Sequence, residues 1–302
     1  MESKRILLTG GAGFIGYSLY KALSSHYEMI VIDKKNKDGV FNKESINYIK
    51  GDLSEQKTFE KVKDKVDIML HFGSHSSIIS FKDHMIDKST EVFRAFLNVL
   101  EFGKKMKIEK LVYPSSGTVY GGVSTSVEKI LRPTNIYGAM KLIHEILAAQ
   151  YDHEFSTIGL RIFMGYGPGE ETKNEIASPV FQFLKEMLTG KSPIIWGDGR
   201  QNRDLVFIDD IKEIVSNILL QDITTPHLDV GSGVSTSFLD IVDIINQVLH
   251  TNISPTFVSK PKGYLEESKA NPYLALNILG KPFVRPKEGI SRFANYLQTI
   301  AK

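Results

Sequence analysis

The chain has 302 residues, with 37 lysines and arginines against 35 aspartates and glutamates, a net charge of +2, and no cysteine. The near-neutral charge gives no electrostatic basis for binding nucleic acid or an anionic membrane. The lack of cysteine excludes disulfides, thiolate metal sites and a cysteine nucleophile. Hydrophobic residues make up 42% and charged residues 24%, as in globular proteins. We expect a soluble, cytoplasmic protein without a secretory or membrane-spanning segment.

The first half of the chain alternates short apolar runs with helical periods. The runs that predict strands are 5–9, 29–33, 46–51, 67–71, 110–114 and 157–163. Most of them are almost continuously apolar, as expected for strands that are covered on both faces. Alternation of strands and helices predicts a parallel sheet with right-handed crossovers, so the expected fold class is α/β with a doubly wound sheet.

The regular alternation fades after residue 165, where glycine and proline become frequent. One later apolar run, 227–230, leads into a glycine and again predicts a strand. We expect two domains, 1–165 and 166–302, with the strand near 227–231 returning to the first domain.

Two predicted helices, within 92–100 and 137–150, are apolar on more than one face. Either each helix is buried on both sides within one subunit, or one face covers the sheet and the other meets a second subunit. The sequence leaves both interpretations open.

Glycines cluster where the first strand ends and the first helix begins, in the run TGGAGFIG over residues 9–16. Gly10, Gly13 and Gly16 allow a sharp turn and a close approach of the backbone to a pyrophosphate, while the helix N-terminus favours the anion. Asp33 lies 20 positions beyond Gly13, where a carboxylate can accept hydrogen bonds from an adenosine ribose. This context predicts a dinucleotide site rather than an ordinary strand–helix turn.

Asp33 also bears on which dinucleotide binds, because a carboxylate repels the 2′-phosphate of NADP and favours NAD. Lys34 and Lys35 follow directly and partly offset that repulsion. A second acid, Asp52, ends the third predicted strand and either reaches the adenine or caps the next helix. The balance favours NAD.

A phenol and an ammonium group lie four residues apart at Tyr137 and Lys141, on one face of a helix. A tyrosine with its ordinary pKa of about 10 is a poor base at neutral pH, but a neighbouring cation favours the phenolate. Upstream, residues 112–121 end an apolar strand with hydroxyl groups, among them Ser116. Parallel sheets place ligand chemistry at that edge.

Together these motifs resemble those of the extended short-chain dehydrogenase/reductases, in the nucleotide-sugar epimerase/dehydratase group. The resemblance covers most of the chain, in segments 10–16, 33, 52–53, 71–74, 115–121, 137–141, 160–169, 196–210 and 229–233. It implies a Rossmann-type NAD-binding domain over 1–165 and a mainly substrate-binding domain over 166–302. It also implies that Tyr137 is the catalytic acid/base, Lys141 its partner, and Ser116 the hydroxyl that bonds the sugar oxygen being oxidised.

The resemblance further implies the residues that bind each ligand. For NAD they are Gly10, Gly13, Phe14, Ile15, Gly16, Asp33, Lys34, Asp52, Leu53, Phe72, Gly73, Ser74, Tyr137, Lys141 and Phe163. For the substrate they are Ser116, Arg203, Lys262 and Ser268. Arg203 resembles an arginine that grips the substrate diphosphate, which suits a bidentate guanidinium; an ion pair with Asp204 or Asp209 is the alternative. No metal site is expected, because the histidines lack zinc-like spacing.

The sequence departs from the family at several positions near the substrate. Gly117 and Thr118 stand where dehydratases carry the Asp-Glu pair that eliminates water, which argues against dehydration. Met164 replaces an asparagine that contacts the diphosphate, and Lys262 lies where an arginine is usual. Ser268 falls at a position beside the sugar that is often a bulky aromatic, so its small side chain leaves room for an N-acetyl group.

The leading hypothesis is a nucleoside-diphosphate-sugar 4-epimerase of the UDP-glucose/UDP-galactose type, with N-acetylated sugars as further candidates, that oxidises C4 transiently with bound NAD. The alternatives are an NAD(P)-dependent nucleotide-sugar reductase or decarboxylase, and a non-catalytic dinucleotide-binding regulator on the same fold. Such regulators tend to lose the tyrosine or the lysine, and this chain keeps both. The resemblance implies a homodimer through the helices at 92–100 and 137–150, with no nucleic-acid or membrane partner.

Overall fold

The computed structural model describes residues 4–41, 45–122, 131–221, 223, 225–260 and 264–301. The strands in chain order are β1 (Arg5–Thr9), β2 (Glu28–Asp33), β3 (Asn47–Lys50), β4 (Ile68–His71), β5 (Lys110–Ser116), β6 (Ser156–Ile162), β7 (Met164–Tyr166), β8 (Ile194–Trp196), β9 (Asn202–Phe207), β10 (His227–Val230), β11 (Ser235–Ser237) and β12 (Thr256–Val258). The helices are α1 (Phe14–Leu23), α2 (Gln56–Phe59), α3 (Met85–Met106), α4 (Ile136–Ala149), α5 (Pro179–Leu188), α6 (Ile208–Leu220), α7 (Phe238–Leu249), α8 (Tyr273–Leu279) and α9 (Pro286–Ile300).

A seven-stranded parallel sheet, in the order β10-β6-β5-β4-β1-β2-β3, organises the described residues. This order winds outward in both directions from β1, which is the Rossmann-type topology. The predicted doubly wound α/β fold is therefore confirmed. No helix in the described part of the chain is long and apolar enough to cross a membrane.

Both faces of the large sheet are buried. Ile6 and Leu8 of β1 belong to one hydrophobic cluster, which includes residues of α1 and α6, while Leu7 belongs to another that contains Phe96 and Val99 of α3. All five side chains are 0% exposed. This two-sided burial explains why the strands are almost continuously apolar in sequence.

The strand predictions agree closely with the structure. The runs 5–9 and 227–230 coincide with β1 and β10, and β5 extends to Ser116, two residues beyond the predicted end. β10 pairs with β6 in the large sheet, with Val230 opposite Ile162. The division of the chain at residue 165 stays a prediction.

The second half adds two small sheets, β11-β9-β7 and β12-β8, within the described residues. β7 follows β6 after one residue and pairs in parallel with β9, with Met164 opposite Leu205. This pairing brings β9 next to the chain where it leaves the carboxyl edge of the large sheet. The segment around Arg203 is thereby positioned beside the strand ends that carry the first half's polar side chains.

Candidate active site

Polar residues end several neighbouring strands at the carboxyl edge of the large sheet. Thr9 of β1 lies opposite His71 of β4 on one side and next to the end of β2 on the other. Ser116 ends β5, and Asp33 ends β2. The winding of the sheet reverses between β1 and β4, where doubly wound sheets open a ligand crevice.

The glycine loop between β1 and α1 forms a backbone cradle. Gly10 has a φ of +73°, which favours glycine, and a Cβ there would collide with the backbone of Phe72 and Gly73. The amide of Gly13 donates to the carbonyl of Gly10 at 3.0 Å. Helix α1 begins at Phe14 without a side-chain cap or an acidic residue in its first turn. The first N–H groups of the helix, which have no intrahelical partner, and the helix dipole suit a phosphate group.

Asp33 is fixed by hydrogen bonds from the loop that precedes α1 and from its own turn. Its carboxylate oxygens accept from the backbone amide of Ala12 at 3.0 Å and from that of Lys35 at 3.0 Å. A carboxylate held at the end of β2 can still accept from a ribose hydroxyl with its remaining lone pairs. The cradle and this carboxylate together fit the adenosine diphosphate half of a dinucleotide.

The second acid, Asp52, forms a turn rather than the cap of a helix. One oxygen accepts from the amide and hydroxyl of Ser54 at 2.8 and 2.7 Å, and the other lies 3.0 Å from the Lys34 ammonium. The helix-capping alternative is wrong, since Glu55 is the residue that precedes α2. Partial burial raises the pKa of Asp52, but the hydrogen bonds from Ser54 and Lys34 outweigh it, so the pKa lies below its usual range.

The predicted Phe72-Gly73-Ser74 loop lies directly beside the glycine cradle. The Phe72 amide donates to the Thr9 carbonyl at 2.9 Å. Leu53 is buried, and its Cδ1 would lie 2.5 Å from a Cβ on Gly73. The structure therefore brings these predicted cofactor residues together at one crevice.

Ser116, Tyr137 and Lys141 also meet there, at the start of α4. The Asn135 side chain caps this helix by accepting from the Gly138 amide at 2.9 Å, which places Tyr137 in the first turn and Lys141 one turn later. The Tyr137 phenol interacts with the Ser116 side chain. The Lys141 ammonium lies 5.7 Å from the centre of the Tyr137 ring and 3.5 Å from the Ser74 hydroxyl.

Burial dominates the electrostatics of this cluster. Lys141 is 3% exposed, and burial lowers the pKa of its ammonium to about 7. Burial raises the pKa of Tyr137 to about 12, although the interaction with Ser116 acts in the opposite direction. Each group is pushed toward its neutral form, so the pair favours a state with a single shared proton.

Two histidines behind Lys141 form a feature that the motifs did not reveal. His144 stacks on Phe96 with ring centres 4.1 Å apart and lies 6.4 Å from His71, whose Nδ1 is 2.8 Å from the Thr9 hydroxyl. Burial, followed by the Lys141 charge, lowers the pKa of His71 to about 3 and that of His144 well below its usual value. Lys141 is therefore backed by neutral rings. The signal in sequence is a histidine three residues after Lys141 in an apolar helix.

A buried ionic network fastens α4 to the sheet and was also missed. The Arg161 guanidinium donates to both oxygens of Glu145, at 2.8 and 2.6 Å, and the Ser115 hydroxyl donates to Glu145 at 2.5 Å. Arg161 also donates to the Tyr120 hydroxyl, which donates to Asp229 at 2.7 Å. Glu145 follows Lys141 by one helical turn, so the network fixes the position of the Ser116, Tyr137 and Lys141 cluster.

Gly117, which stands where dehydratases carry an acid, packs against Phe163. A Cβ on Gly117 would lie 2.8 to 2.9 Å from the Phe163 ring, closer than real side-chain contacts allow. Any larger residue at this position would require the Phe163 ring to move.

Arg203 lies in an aromatic enclosure. Its guanidinium is 5.3 Å from the centre of the Phe238 ring and 5.2 Å from that of Tyr264, and it is buried. Burial lowers the pKa of Arg203. Its Nη1 donates to the Asn202 carbonyl at 2.7 Å.

The alternative assignment of Arg203, an ion pair with Asp204 or Asp209, is wrong. The Asp204 carboxylate accepts from the backbone amides of Ser232 and Gly233 at 2.7 and 2.8 Å. Asp209 pairs with Lys212 and Arg292.

Lys262 and Ser268 are the remaining predicted substrate residues. Lys262 lies outside the described residues. Ser268 is half-buried, and the preceding Glu267 carbonyl would lie 3.7 Å from a Cβ on Gly122, so this segment runs close to the turn after Ser116. In the described part of the chain, no cluster of three or more histidines or carboxylates is arranged to hold a metal ion.

Comparison with known proteins connects this geometry to one family. The sequence model of the "NAD dependent epimerase/dehydratase family" matches residues 6–231. A putative UDP-glucose 4-epimerase of Methanocaldococcus jannaschii is 28% identical over 310 residues, covering 97% of this chain and 98% of that protein.

Two solved structures share the fold along almost the whole chain. A UDP-N-acetylglucosamine 4-epimerase from Methanobrevibacter ruminantium, in complex with UDP-N-acetylmuramic acid, is 24% identical and has a TM-score of 0.90, covering 99% of this chain and all of that one. A UDP-glucose 4-epimerase from Thermotoga maritima, with UDP-glucose, is 23% identical, with the same TM-score and coverage. At this identity the two structures establish the fold.

Proposed function

The chain belongs to the NAD dependent epimerase/dehydratase family, and we propose that it is a nucleoside-diphosphate-sugar 4-epimerase with bound NAD. The observation that carries the proposal is the single buried cluster of Ser116, Tyr137 and Lys141 beside a glycine cradle, with Gly117 and Thr118 in place of a second acid–base pair. This arrangement provides one proton-transfer group, which is what reversible oxidation at one carbon requires.

The proposed NAD site runs along the carboxyl edge of the sheet. The N-terminus of α1 and Gly10, Gly13 and Gly16 would hold the pyrophosphate, and Asp33 the adenosine ribose. Lys141, with Ser74 beside it, would hold the nicotinamide ribose, and the remaining predicted contacts come from Phe14, Ile15, Lys34, Asp52, Leu53, Phe72, Gly73 and Phe163. When bound, NAD supplies the acceptor and donor of a hydride.

Tyr137 would exchange a proton with the C4 hydroxyl of the sugar. In the phenolate form it removes the proton while C4 is oxidised, and in the phenol form it returns the proton when C4 is reduced. Ser116 orients the sugar oxygen, and the Lys141 cation stabilises the phenolate. Because both the proton and the hydride removed at C4 would return to C4, the net redox state of the sugar would be unchanged.

Dehydration needs an acid and a base beyond Tyr137, and the position of Gly117 offers neither. The Phe163 ring lies against Gly117, and Thr118 donates its hydroxyl to Ser116 at 3.0 Å. This local packing supports epimerisation rather than elimination of water.

Arg203 would bind the diphosphate of the substrate, since its charge has no carboxylate from Asp204 or Asp209 beside it and its guanidinium is held by two rings. Arg203→Lys keeps the charge and loses the bidentate fork, so we expect KM to rise about 10- to 100-fold with kcat changed much less. Arg200→Lys, on an exposed arginine in the same loop, is the matched control. A KM for Arg203→Lys equal to that of the parent would contradict the assignment.

The test of the activity is a panel of UDP-glucose, UDP-galactose and their N-acetyl analogues, followed by chromatography of the products. We expect C4 epimers of at least one substrate without a net change of absorbance at 340 nm. A steady change at 340 nm would identify a reductase instead, release of CO₂ a decarboxylase, and an unchanged panel would overturn the 4-epimerase assignment. Conversion of an N-acetylated substrate would support the prediction that the small side chain of Ser268 leaves space for an N-acetyl group.

We also propose that the protein is a homodimer through α3 and α4. Their outward faces carry exposed apolar side chains, including Ile86 at 80%, Phe93 at 40% and Ile146 at 56% exposure, an area that a second copy would cover. Light scattering should give twice the chain mass of 33.9 kDa, and Ile146→Asp should shift the mass toward the monomer. A monomer at micromolar concentration would overturn this proposal. The cytoplasmic location stays a prediction.

A further inference from the structure

The adenosine end of the proposed cofactor groove is surrounded by lysines. Lys34 and Lys35 follow Asp33 in sequence, and Lys50 pairs with Asp33 across β2 and β3. Ammonium groups at this place are what the additional phosphate of NADP would need. The sequence alone therefore does not decide whether these lysines bind the 2′-phosphate of NADP.

The structure gives each of these ammonium groups another partner. Lys34 forms ion pairs with both Asp52, at 3.0 Å, and Glu91. Lys35 donates to the Ala12 carbonyl at 3.4 Å, and Lys50 donates to the Asn36 side chain at 2.8 Å.

Glu91 comes from α3, 57 residues after Lys34, and belongs to none of the dinucleotide motifs. Asp52 and Glu91 are therefore two carboxylates in contact with the one ammonium of Lys34. Their two negative charges exceed the single positive charge of Lys34, so this ammonium is already neutralised although three lysines lie nearby.

We propose that Glu91 is a specificity-determining residue, which together with Asp52 keeps the Lys34 ammonium occupied and thereby makes the site reject the 2′-phosphate of NADP. This inference rests on the dinucleotide site of the proposed function. A phosphate monoester carries a charge of about −1.5 to −2 at pH 7, so it would be repelled by Asp52 and Glu91, whose charges already neutralise that of Lys34. The adenosine ribose of NAD carries a neutral 2′-hydroxyl at that position, so the two carboxylates do not repel it.

The effect should be moderate, because the side chains of Lys34 and Glu91 are 49% and 34% exposed and water screens their charges. Glu91→Gln removes one carboxylate charge while keeping the size of the side chain. We expect it to shift the preference toward NADP about 3- to 10-fold, with the shift shrinking as the salt concentration rises.

The experiment is a competition. The purified protein is equilibrated with a 1:1 excess of NAD and NADP, separated from free nucleotide, and the bound fraction is quantified by chromatography. The parent should retain almost only NAD, and Glu91→Gln should retain a 3- to 10-fold larger share of NADP. Glu109→Gln is the matched control for net charge, since Glu109 pairs with Lys4 before β5 begins and should leave the ratio unchanged.

A second substitution tests whether the effect passes through Lys34. Lys34→Gln should change the ratio little in the parent, but it should abolish the gain in the Glu91→Gln background. An unchanged ratio in Glu91→Gln with NAD still bound would overturn this inference and leave the proposed function standing. If the parent retains neither nucleotide, the result would contradict the proposed dinucleotide site. It would then overturn both the proposed function and this inference.

Discussion

Two lysines mark the two ends of the proposed cofactor groove, and their surroundings are opposite. Lys141, at the end beside Ser116 and Tyr137, is 3% exposed and lies next to His71 and His144. Lys34, at the adenosine end, is half exposed and pairs with Asp52 and Glu91. Burial lowers the pKa of Lys141 to about 7. Partial burial also acts to lower the pKa of Lys34, but its hydrogen bonds to the two carboxylates outweigh this and raise it.

The difference shows how one residue type serves two purposes. A lysine without a carboxylate partner in an apolar setting can lose or gain a proton near neutral pH, which suits a group that tunes an acid/base. A lysine between two carboxylates stays charged, and its charge is already balanced, which suits a group that shapes selectivity.

The largest effect should follow from substituting Tyr137, the proposed acid/base beside Lys141. Tyr137→Phe removes the phenol that exchanges the proton, so we expect kcat to fall about 10²- to 10⁴-fold, with little change in stability or in bound nucleotide. Tyr151→Phe, just beyond the end of α4, should retain full activity. Turnover of Tyr137→Phe equal to that of the parent would favour the non-catalytic regulator.

Lys141→Met should reduce activity and at the same time stabilise the fold. Its folded-state pKa of about 7 lies below the ordinary 10.5, so burying the charged form costs stability on the order of a few kcal/mol. That cost is fully present below pH 7, diminishes as the pH rises from 7 to 10.5, and is absent above. Thermal or urea unfolding of the nucleotide-free protein should therefore show a gain for Lys141→Met at pH 6 that largely disappears at pH 10. A loss of stability at pH 6 would contradict this account of the site.

The two ends of the proposed cofactor groove also differ in how many of their contacts could be predicted from the sequence. The glycine run, Asp33 and the Tyr137–Lys141 spacing predicted the cradle and the proximity of Tyr137 and Lys141, because these are local patterns tied to one strand end or one helix face. The contacts of Glu91 and His144 could not be predicted, because each meets its partners only after distant elements pack together. The motif around Arg203 predicted a residue that binds the substrate. Its enclosure by Phe238 and Tyr264 could not be predicted, because it depends on the packing of α7 and a C-terminal segment. Strand bounds were predictable because a sheet buried on both faces leaves a continuous apolar run.

The pH dependence of catalysis should follow the coupled pair at the buried end. Tyr137 and Lys141 share one proton between their two pKa values, about 12 and about 7, and the phenolate–ammonium form of that state can accept a substrate proton. Below pH 7 the pair takes up a second proton, so kcat/KM should fall about tenfold for each unit of pH. His71 and His144 stay neutral over this range because their pKa values are lowered. A profile that is flat from pH 5.5 to 8 would show that the shared proton does not limit catalysis.

The smallest effect should come from the exposed end. Lys34→Met removes two ion pairs that water partly screens, so we expect a loss of stability of no more than about 1 kcal/mol, the opposite sign to Lys141→Met. Because the pKa of Lys34 is raised in the folded protein, this stability is present below the unfolded pKa and is lost as the pH rises through the folded one. High salt should reduce the difference between Lys34→Met and the parent, whereas the gain of Lys141→Met should persist, since its surroundings exclude ions. Equal salt sensitivity of the two variants would show that the two lysines do not differ in the way their burial indicates.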